Sequence, residues 1–153
     1  MPIALLNGRV LREQALVEGQ CVLLEGSRIL DIVPQGHPSS RGATPVDLRG
    51  NLLLPGFIDS QVNGGGGVLF NDSPSVETIR QIGRAHRSFG TTGFMPTLIS
   101  ADLDVVARAI AAVRGAIETG VPGVLGIHIE GPFLNVERKG VHDPAKLREL
   151  DTS

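Results

Sequence analysis

From Leu52 onward the chain alternates between short apolar runs and amphipathic segments, and this alternation is the strongest constraint on its fold. The apolar runs at residues 56–62, 93–98 and 124–129 predict strands, and the segments between them predict helices. Strand, helix, strand, helix, strand at about thirty residues per unit is the signature of parallel βαβ units. The pattern therefore predicts an α/β fold with a parallel sheet, and it fits a doubly wound sheet and a (β/α)8 barrel equally well.

The two helical segments carry start and stop signals. Ser73-Pro74, a capping residue followed by proline, predicts the start of the first helix, and Gly90 predicts its end. Its apolar positions are Val76, Ile79, Ile82 and Phe89. Ser100 predicts the N-cap of the second helix, and Gly120 and Pro122 predict its end. Its predicted apolar face consists of Leu103, Val106, Ile110, Val113 and Ile117.

Residues 1–51 have a different pattern, with short apolar runs separated by turn residues. Asn7-Gly8 lies between two such runs and predicts a tight hairpin. The segment 25–28, Glu-Gly-Ser-Arg, predicts a second hairpin, and the proline-rich segment 34–45 predicts a loop. Paired strands of this kind suit a small β-sandwich. We therefore expect two domains, a sandwich at 1–51 and a βα domain at 52–153.

Charge and composition exclude several classes of protein. The chain has 14 Lys and Arg against 16 Asp and Glu, a net charge of −2, so no broad basic surface for nucleic acid is expected. No run approaches the roughly 18 apolar residues of a membrane helix, and no signal peptide is evident, so the expected location is the cytoplasm, away from the membrane. Cys21 is the single cysteine, which excludes an intrachain disulfide and a multi-cysteine zinc site and predicts a small core residue inside a strand.

Functional groups in parallel α/β folds gather where the strands end. Glu130 directly follows the third predicted strand, and its position alone fits a metal ligand or a salt bridge in a loop. His128 points to the same side of the strand, where a hydrogen-bonded packing residue is the more common role. The glycines at 64–67 predict a flexible turn. His142, in a polar loop, predicts a surface residue.

Several motifs resemble one enzyme family. The segment 54–59, Leu-Pro-Gly-Phe-Ile-Asp, resembles the amidohydrolase superfamily, in which a His-x-His metal pair often follows. Gln61 and Asn63 occupy the matching positions here. That replacement, together with the runs at 91–99, 128–135 and 139–144, is similar to the N-acetylglucosamine-6-phosphate deacetylase branch.

The resemblance implies a small β-sandwich packed on a (β/α)8 TIM-type barrel, of which this chain holds only the first strands and helices. It implies hydrolysis of the acetamide of N-acetylglucosamine 6-phosphate to glucosamine 6-phosphate and acetate. Glu130 then binds a divalent metal, and His142 contacts the substrate near the acetamide carbonyl. Gln61 and Asn63, as neutral amides, would orient the water or the substrate. The replacement of His-x-His implies one ion rather than a bridged pair.

The family's two metal histidines and its general acid–base Asp have no counterparts in these residues. That Asp is expected downstream of Ser153, so no catalytic acid or base is assigned within the chain, and the segment alone is expected to be unstable and inactive. Zinc is the first expectation for the metal, with iron, cobalt and manganese as alternatives. The family resemblance also implies a homodimer or tetramer. Two other readings remain open: another amidohydrolase acting on a cyclic amide or base, and a non-catalytic remnant of the fold.

Overall fold

The computed structural model describes residues 1–150 as two compact units, the first of which is Met1–Pro55. This unit holds seven strands: β1 (Ile3–Leu6), β2 (Arg9–Arg12), β3 (Ala15–Val17), β4 (Gln20–Glu25), β5 (Arg28–Pro34), β6 (Thr44–Asp47) and β7 (Leu52–Leu53). A short 3-10 helix, Pro38–Ser40, lies between β5 and β6. The strands form one sheet in the order β5-β4-β1-β6 and another in the order β3-β2-β7. Because β7 pairs with β2, the first unit extends past residue 51.

The hairpin predicted at Asn7-Gly8 was wrong. β1 and β2 do not pair with each other, since β1 pairs with β4 and β6 while β2 pairs with β3 and β7. A type I′ turn needs positive φ at both central residues, and only Asn7, at 57°, has it. The side-chain amide of Asn7 instead donates to Asp47 Oδ1 at 3.1 Å and accepts from Gln35 Nε2 at 2.6 Å. Partners distant in sequence therefore hold Asn7, and after it the chain continues from the sheet of β1 into the sheet of β2.

The second predicted hairpin is confirmed. β4 and β5 are antiparallel, and Glu25 pairs with Arg28, which leaves Gly26 and Ser27 as the turn. Gly26 has φ of 56°, a conformation that favours glycine. Cys21 is fully buried inside β4, as predicted, and it packs in a small core with Ala4, Leu23 and Val33.

The second unit begins at Gly56 and contains the predicted βαβ repeats. Its elements are β8 (Phe57–Val62), β9 (Gly64–Gly65), β10 (Val68–Leu69), α1 (Val76–Arg87), β11 (Thr91–Ile99), α2 (Leu103–Glu118) and β12 (His128–Glu130), followed by 3-10 turns at Val136–Arg138 and Pro144–Lys146. β11 lies between β8 and β12 and is parallel to both, which confirms the predicted parallel sheet. The third strand is shorter than predicted, and Val124 makes only an isolated bridge to Phe94.

Both predicted helix starts were wrong by a few residues. Ser75 rather than Ser73 caps α1, with its hydroxyl accepting from the backbone N–H of Thr78 at 3.2 Å. Asp102 rather than Ser100 occupies the N-cap position of α2. Local capping rules allow any of these short polar residues, and the packing of each helix decides which one is used.

The buried face of α2 differs from the predicted one. Ala109, Val113 and Ala116 are buried, whereas Leu103, Ile110 and Ile117 are 46%, 39% and 49% exposed. Val113 is buried as predicted and Val106 packs against the core, but the prediction left out the two buried alanines. In α1, Ile79 and Ile82 are fully buried as predicted, while Phe89 lies beyond the helix and is exposed. No helix within residues 1–150 is long and apolar enough to cross a membrane.

Candidate functional site at the ends of the parallel strands

The carboxyl ends of β8, β11 and β12 lie at one edge of the sheet because the three strands are parallel. Ile99 at the end of β11 pairs with Glu130 at the end of β12, and Pro96 pairs with Val62 at the end of β8. This register places Gln61 and Glu130, which are 69 residues apart in sequence, within hydrogen-bonding distance. The edge is therefore where the polar groups of distant segments meet.

Glu130 is at the centre of these contacts. Gln61 Nε2 donates to Glu130 Oε2 at 2.9 Å, and His142 Nε2 lies 3.3 Å from Glu130 Oε1. The Glu130 side chain is 32% exposed, so one side of the carboxylate remains open to solvent. The residues that hold this carboxylate are an amide and an imidazole, and neither is a fixed cation.

His142 is buried, with 4% exposure, so its interpretation as a surface residue was wrong. Its Nδ1 lies 2.7 Å from Ser100 Oγ, and the backbone N–H of Ser100 donates to the same nitrogen at 3.3 Å. Lys139 Nζ donates to the His142 carbonyl at 3.2 Å. The polar loop carries the imidazole inward because both ring nitrogens find partners there.

His128 has a separate environment. Its Nδ1 lies 3.2 Å from the hydroxyl of Thr97, a fully buried residue on the neighbouring strand β11. Asn63 contributes its backbone carbonyl to the β9–β10 hairpin, accepting from the Phe70 N–H at 2.9 Å. In the part of the chain that the structure describes, no side-chain hydrogen bond joins Asn63 to Glu130. The structure thus brings Gln61, Glu130 and His142 together and leaves Asn63 outside this cluster.

Two residues of this edge were not predicted as site residues. Ser100 holds His142, as above. Asn71 holds the end of β11, because its amide donates to the Ile99 carbonyl at 3.1 Å and its Oδ1 accepts from the Ile99 N–H at 3.0 Å. Asn71 behaves as an added strand partner, and nothing in its local sequence indicates that role.

The glycine segment forms a hairpin rather than an unstructured turn. β9 and β10 are antiparallel, and Gly66 and Gly67 between them have φ of 64° and 87°. His86 Nε2, on α1, lies 2.9 Å from the Gly64 carbonyl. A β-carbon at Gly65 would lie 2.9 Å from the His86 ring. The hairpin is therefore packed against α1.

The residues that the structure describes do not form a complete set of metal ligands. Within residues 1–150, no group of three or more His, Cys, Asp and Glu side chains is arranged to hold a metal ion. Glu130 fits as one ligand, since it is a partly open carboxylate whose present partners are hydrogen-bond donors. The other role predicted for Glu130, a salt bridge in a loop, would be made with His142 and requires a protonated imidazole.

The curated relatives reported below are named as deacetylases of amino-sugar 6-phosphates. No family model matches the chain. An N-acetylgalactosamine-6-phosphate deacetylase from Shewanella is 52% identical over 103 residues, which is 67% of this chain and 26% of that protein. N-acetylglucosamine-6-phosphate deacetylases from Haemophilus influenzae and human are 38% and 35% identical over 98% and 95% of this chain, and over 39% and 36% of their own lengths.

Solved structures give the same result. The N-acetylglucosamine-6-phosphate deacetylase of Pasteurella multocida matches 99% of this chain and 40% of its own, with a TM-score of 0.91 and 32% identity. The enzyme from Mycobacterium smegmatis, as a D267A mutant in complex with N-acetyl-D-glucosamine-6-phosphate, matches 98% of this chain and 38% of its own, with a TM-score of 0.81 and 25% identity. The chain is homologous to the N-acetylglucosamine-6-phosphate deacetylases, which are hydrolases, and has their mixed α/β fold. It spans 26–39% of the curated relatives described here.

Proposed function

We propose that the protein hydrolyses the acetamide of N-acetylglucosamine 6-phosphate, adding water across the amide to give glucosamine 6-phosphate and acetate. The observation that carries this proposal is the convergence of Gln61 and His142 on Glu130 at the strand ends, in a chain homologous to deacetylases. A partly open carboxylate beside an imidazole and an amide is a group suited to metal-assisted hydrolysis.

The fold proposal follows the same resemblance. The two sheets of the first unit support a β-sandwich, and the parallel order of β8, β11 and β12 supports the start of a (β/α)8 barrel. In this proposal the sandwich portion ends at Pro55 rather than at residue 51, because β7 pairs within the first unit. The second unit contributes the first strands and helices of the barrel.

We assign Glu130 as one ligand of a single divalent ion, with zinc first and iron, cobalt or manganese as alternatives. When bound, such an ion polarises the amide carbonyl and acidifies a water molecule. Gln61 keeps the Glu130 carboxylate oriented through its 2.9 Å hydrogen bond, and its amide also lies where it can orient water or substrate. Asn63 has the same neutral chemistry but orients no residue of the cluster, so its proposed role is to orient the water or the substrate.

His142 is proposed to contact the acetamide of the substrate. Its Nε2 lies on the Glu130 side of the ring, and the imidazole is held from the opposite side by Ser100. A rigidly held N–H is the type of group that stabilises developing charge on a carbonyl oxygen. No general acid or base is assigned among residues 1–150.

A second substrate is favoured by a specific observation. The Shewanella relative, at 52% identity over two thirds of this chain, carries the name N-acetylgalactosamine-6-phosphate deacetylase. The two sugars differ only in the configuration at C4, so the same amide hydrolysis applies to both. The choice between them depends on contacts to the C4 hydroxyl.

The test measures acetate release by the protein produced from its complete gene, with metal supplied. Three substrates are compared: the 6-phosphates of N-acetylglucosamine and N-acetylgalactosamine, and N-acetylglucosamine without phosphate. We expect the first to react fastest and the unphosphorylated sugar slowest. Faster release from the galactose isomer would select the second candidate.

Variants connect the activity to the site. Glu130→Gln should abolish most activity, whereas Glu137→Gln, an exposed Glu in the adjacent 3-10 turn, should retain it. No acetate from any of the three substrates would contradict the proposal and would favour either an amidohydrolase of cyclic amides or a non-catalytic remnant. Light scattering on the same preparation tests the dimer or tetramer that the resemblance implies.

A further inference from the structure

Ser100 makes two contacts with one atom of His142. Its hydroxyl lies 2.7 Å from His142 Nδ1, and its backbone N–H donates to the same nitrogen at 3.3 Å. Ser100 is itself buried, with 8% exposure, directly after β11. The contact is therefore shielded from water and joins the end of β11 to a loop 42 residues away.

The backbone contact fixes the direction of the hydrogen bonds. A backbone N–H can only donate, so Nδ1 of the neutral ring must be the acceptor. The proton of the neutral imidazole then lies on Nε2, and the Ser100 hydroxyl also donates to Nδ1. Nε2–H faces Glu130 Oε1 at 3.3 Å, and Gln61 donates to the other oxygen of that carboxylate. All four groups have compatible donor and acceptor roles in this arrangement.

A glycine makes room for this contact. Gly131, directly after Glu130, has φ of 92°, and a β-carbon there would collide with Ser100 Oγ. The absence of a side chain at residue 131 lets the hydroxyl lie against the end of β12 and reach His142. The ends of two strands and the following loop thus meet at one hydroxyl group.

We infer that Ser100 is a positioning residue that holds His142 in a single tautomer, with the proton on Nε2 toward the site. The inference rests on the proposed function for its effect on catalysis, but the tautomer itself is independent of any substrate. The hydroxyl provides the shorter of the two contacts, so its removal should leave the ring less firmly held.

The first experiment is nitrogen NMR of the protein from its complete gene, labelled at histidine, under conditions in which the ring is neutral. The spectrum of His142→Gln lacks the signals of this ring and so assigns them. We expect His142 to show a bare Nδ1 and a protonated Nε2. A protonated Nδ1 in the unmodified protein would overturn the inference, and the measurement needs no activity.

The second experiment compares variants at residue 100. Ser100→Ala should give a mixture or averaging of tautomers at His142 and a kcat about tenfold lower, the size expected for one hydrogen bond, with KM changed by less than about twofold. Ser100→Thr keeps the hydroxyl and should restore the single tautomer. Ser88→Ala, which removes a hydroxyl that donates to the Ala85 carbonyl at the end of α1, is the control and should match the unmodified protein.

The outcomes separate the inference from the proposed function. An unchanged tautomer and an unchanged kcat in Ser100→Ala would overturn the positioning role. If no substrate reacts but Ser100→Ala disturbs the tautomer, the proposed function fails and the role of Ser100 in holding the ring stands. A loss of thermal stability in Ser100→Ala without any change at His142 would indicate a purely structural serine.

Discussion

Gly83 allows a sharp test of how α1 packs on the strand that leads to the site. Gly83 lies inside the helix, and a β-carbon there would be 2.8 Å from both Cε1 and Cζ of Phe94 on β11. Carbon atoms ordinarily approach no closer than about 3.5 Å, so the ring would have to retreat by roughly 0.7 Å. Phe94 is only 2% exposed and belongs to the main core, so its ring can retreat only by displacing other core side chains.

Two effects oppose each other when Gly83 is replaced by alanine. Alanine is favoured over glycine inside a helix by about 1 kcal/mol. Overpacking a well-filled core costs about 1–3 kcal/mol. Because the clash is with two atoms of a buried ring, we expect overpacking to dominate and Gly83→Ala to lower the free energy of unfolding by about 1 kcal/mol.

Gly115 in α2 is the matched control, since its β-carbon would meet only one methyl group of Val76, at 3.3 Å. We expect Gly115→Ala to be neutral or stabilising by up to about 1 kcal/mol. Urea denaturation followed by circular dichroism, on the same form of the protein, measures both changes. In a Phe94→Leu background the two clashing ring atoms are absent, so Gly83→Ala should become stabilising. A Gly83→Ala protein as stable as the original, or an unchanged effect in the Phe94→Leu background, would refute the packing argument.

Three further predictions concern single side chains. Glu130→Gln should lower the metal content measured by elemental analysis and reduce kcat/KM by at least about 100-fold, because the metal loses its carboxylate ligand. Full metal content and activity in this variant would contradict the assignment of Glu130. Asn71→Ala should lower the free energy of unfolding, measured by urea denaturation, by about 1–3 kcal/mol because the backbone N–H and C=O of Ile99 both lose their partner. Asn135→Ala removes one exposed hydrogen bond in a turn and should lower it by less. The Arg49 backbone N–H and the Asn7 amide hold the pKa of Asp47 below its usual range. The ionised carboxylate therefore stabilises the fold above the ordinary Asp pKa, and this effect is lost as the pH falls through the lowered value. Asn7→Ala should raise the pKa of Asp47 in an NMR titration, and an unchanged titration would contradict this cause.

The parallel sheet could be predicted from sequence because each of its elements is encoded locally. The run at residues 56–62 and the spacing of Ile79 and Ile82 specify a strand and a helix without reference to distant residues. The buried face of α2 was harder to predict, since Ala109 and Ala116 contribute to it through close approach rather than size. The spacing of hydrophobic residues identifies a helix, but which face is buried depends on how closely the neighbouring elements pack against it.

The turn at Asn7 shows a second limit. Asn-Gly between apolar runs is a strong local signal for a hairpin, and Asn7 does adopt the expected positive φ. Its polar atoms, however, bond to Gln35 and Asp47, 28 and 40 residues away. The local rule fails here because the competing partners are distant in sequence, and a single sequence does not show which distant residues will contact Asn7.

At Ser100, too, a local signal is overridden by a contact with a residue distant in sequence, and its role can be tested. A serine three residues before a helix with an acidic first turn predicts a cap, yet the N-cap position belongs to Asp102, which makes no side-chain cap bond and instead accepts from Lys146 Nζ at 2.5 Å. The helix therefore begins without help from the Ser100 hydroxyl, which is directed to His142. Removing that hydroxyl takes nothing from the start of α2. We therefore expect a loss of activity in Ser100→Ala to act through the imidazole, and a changed tautomer of His142 would distinguish this effect from a loss of stability alone.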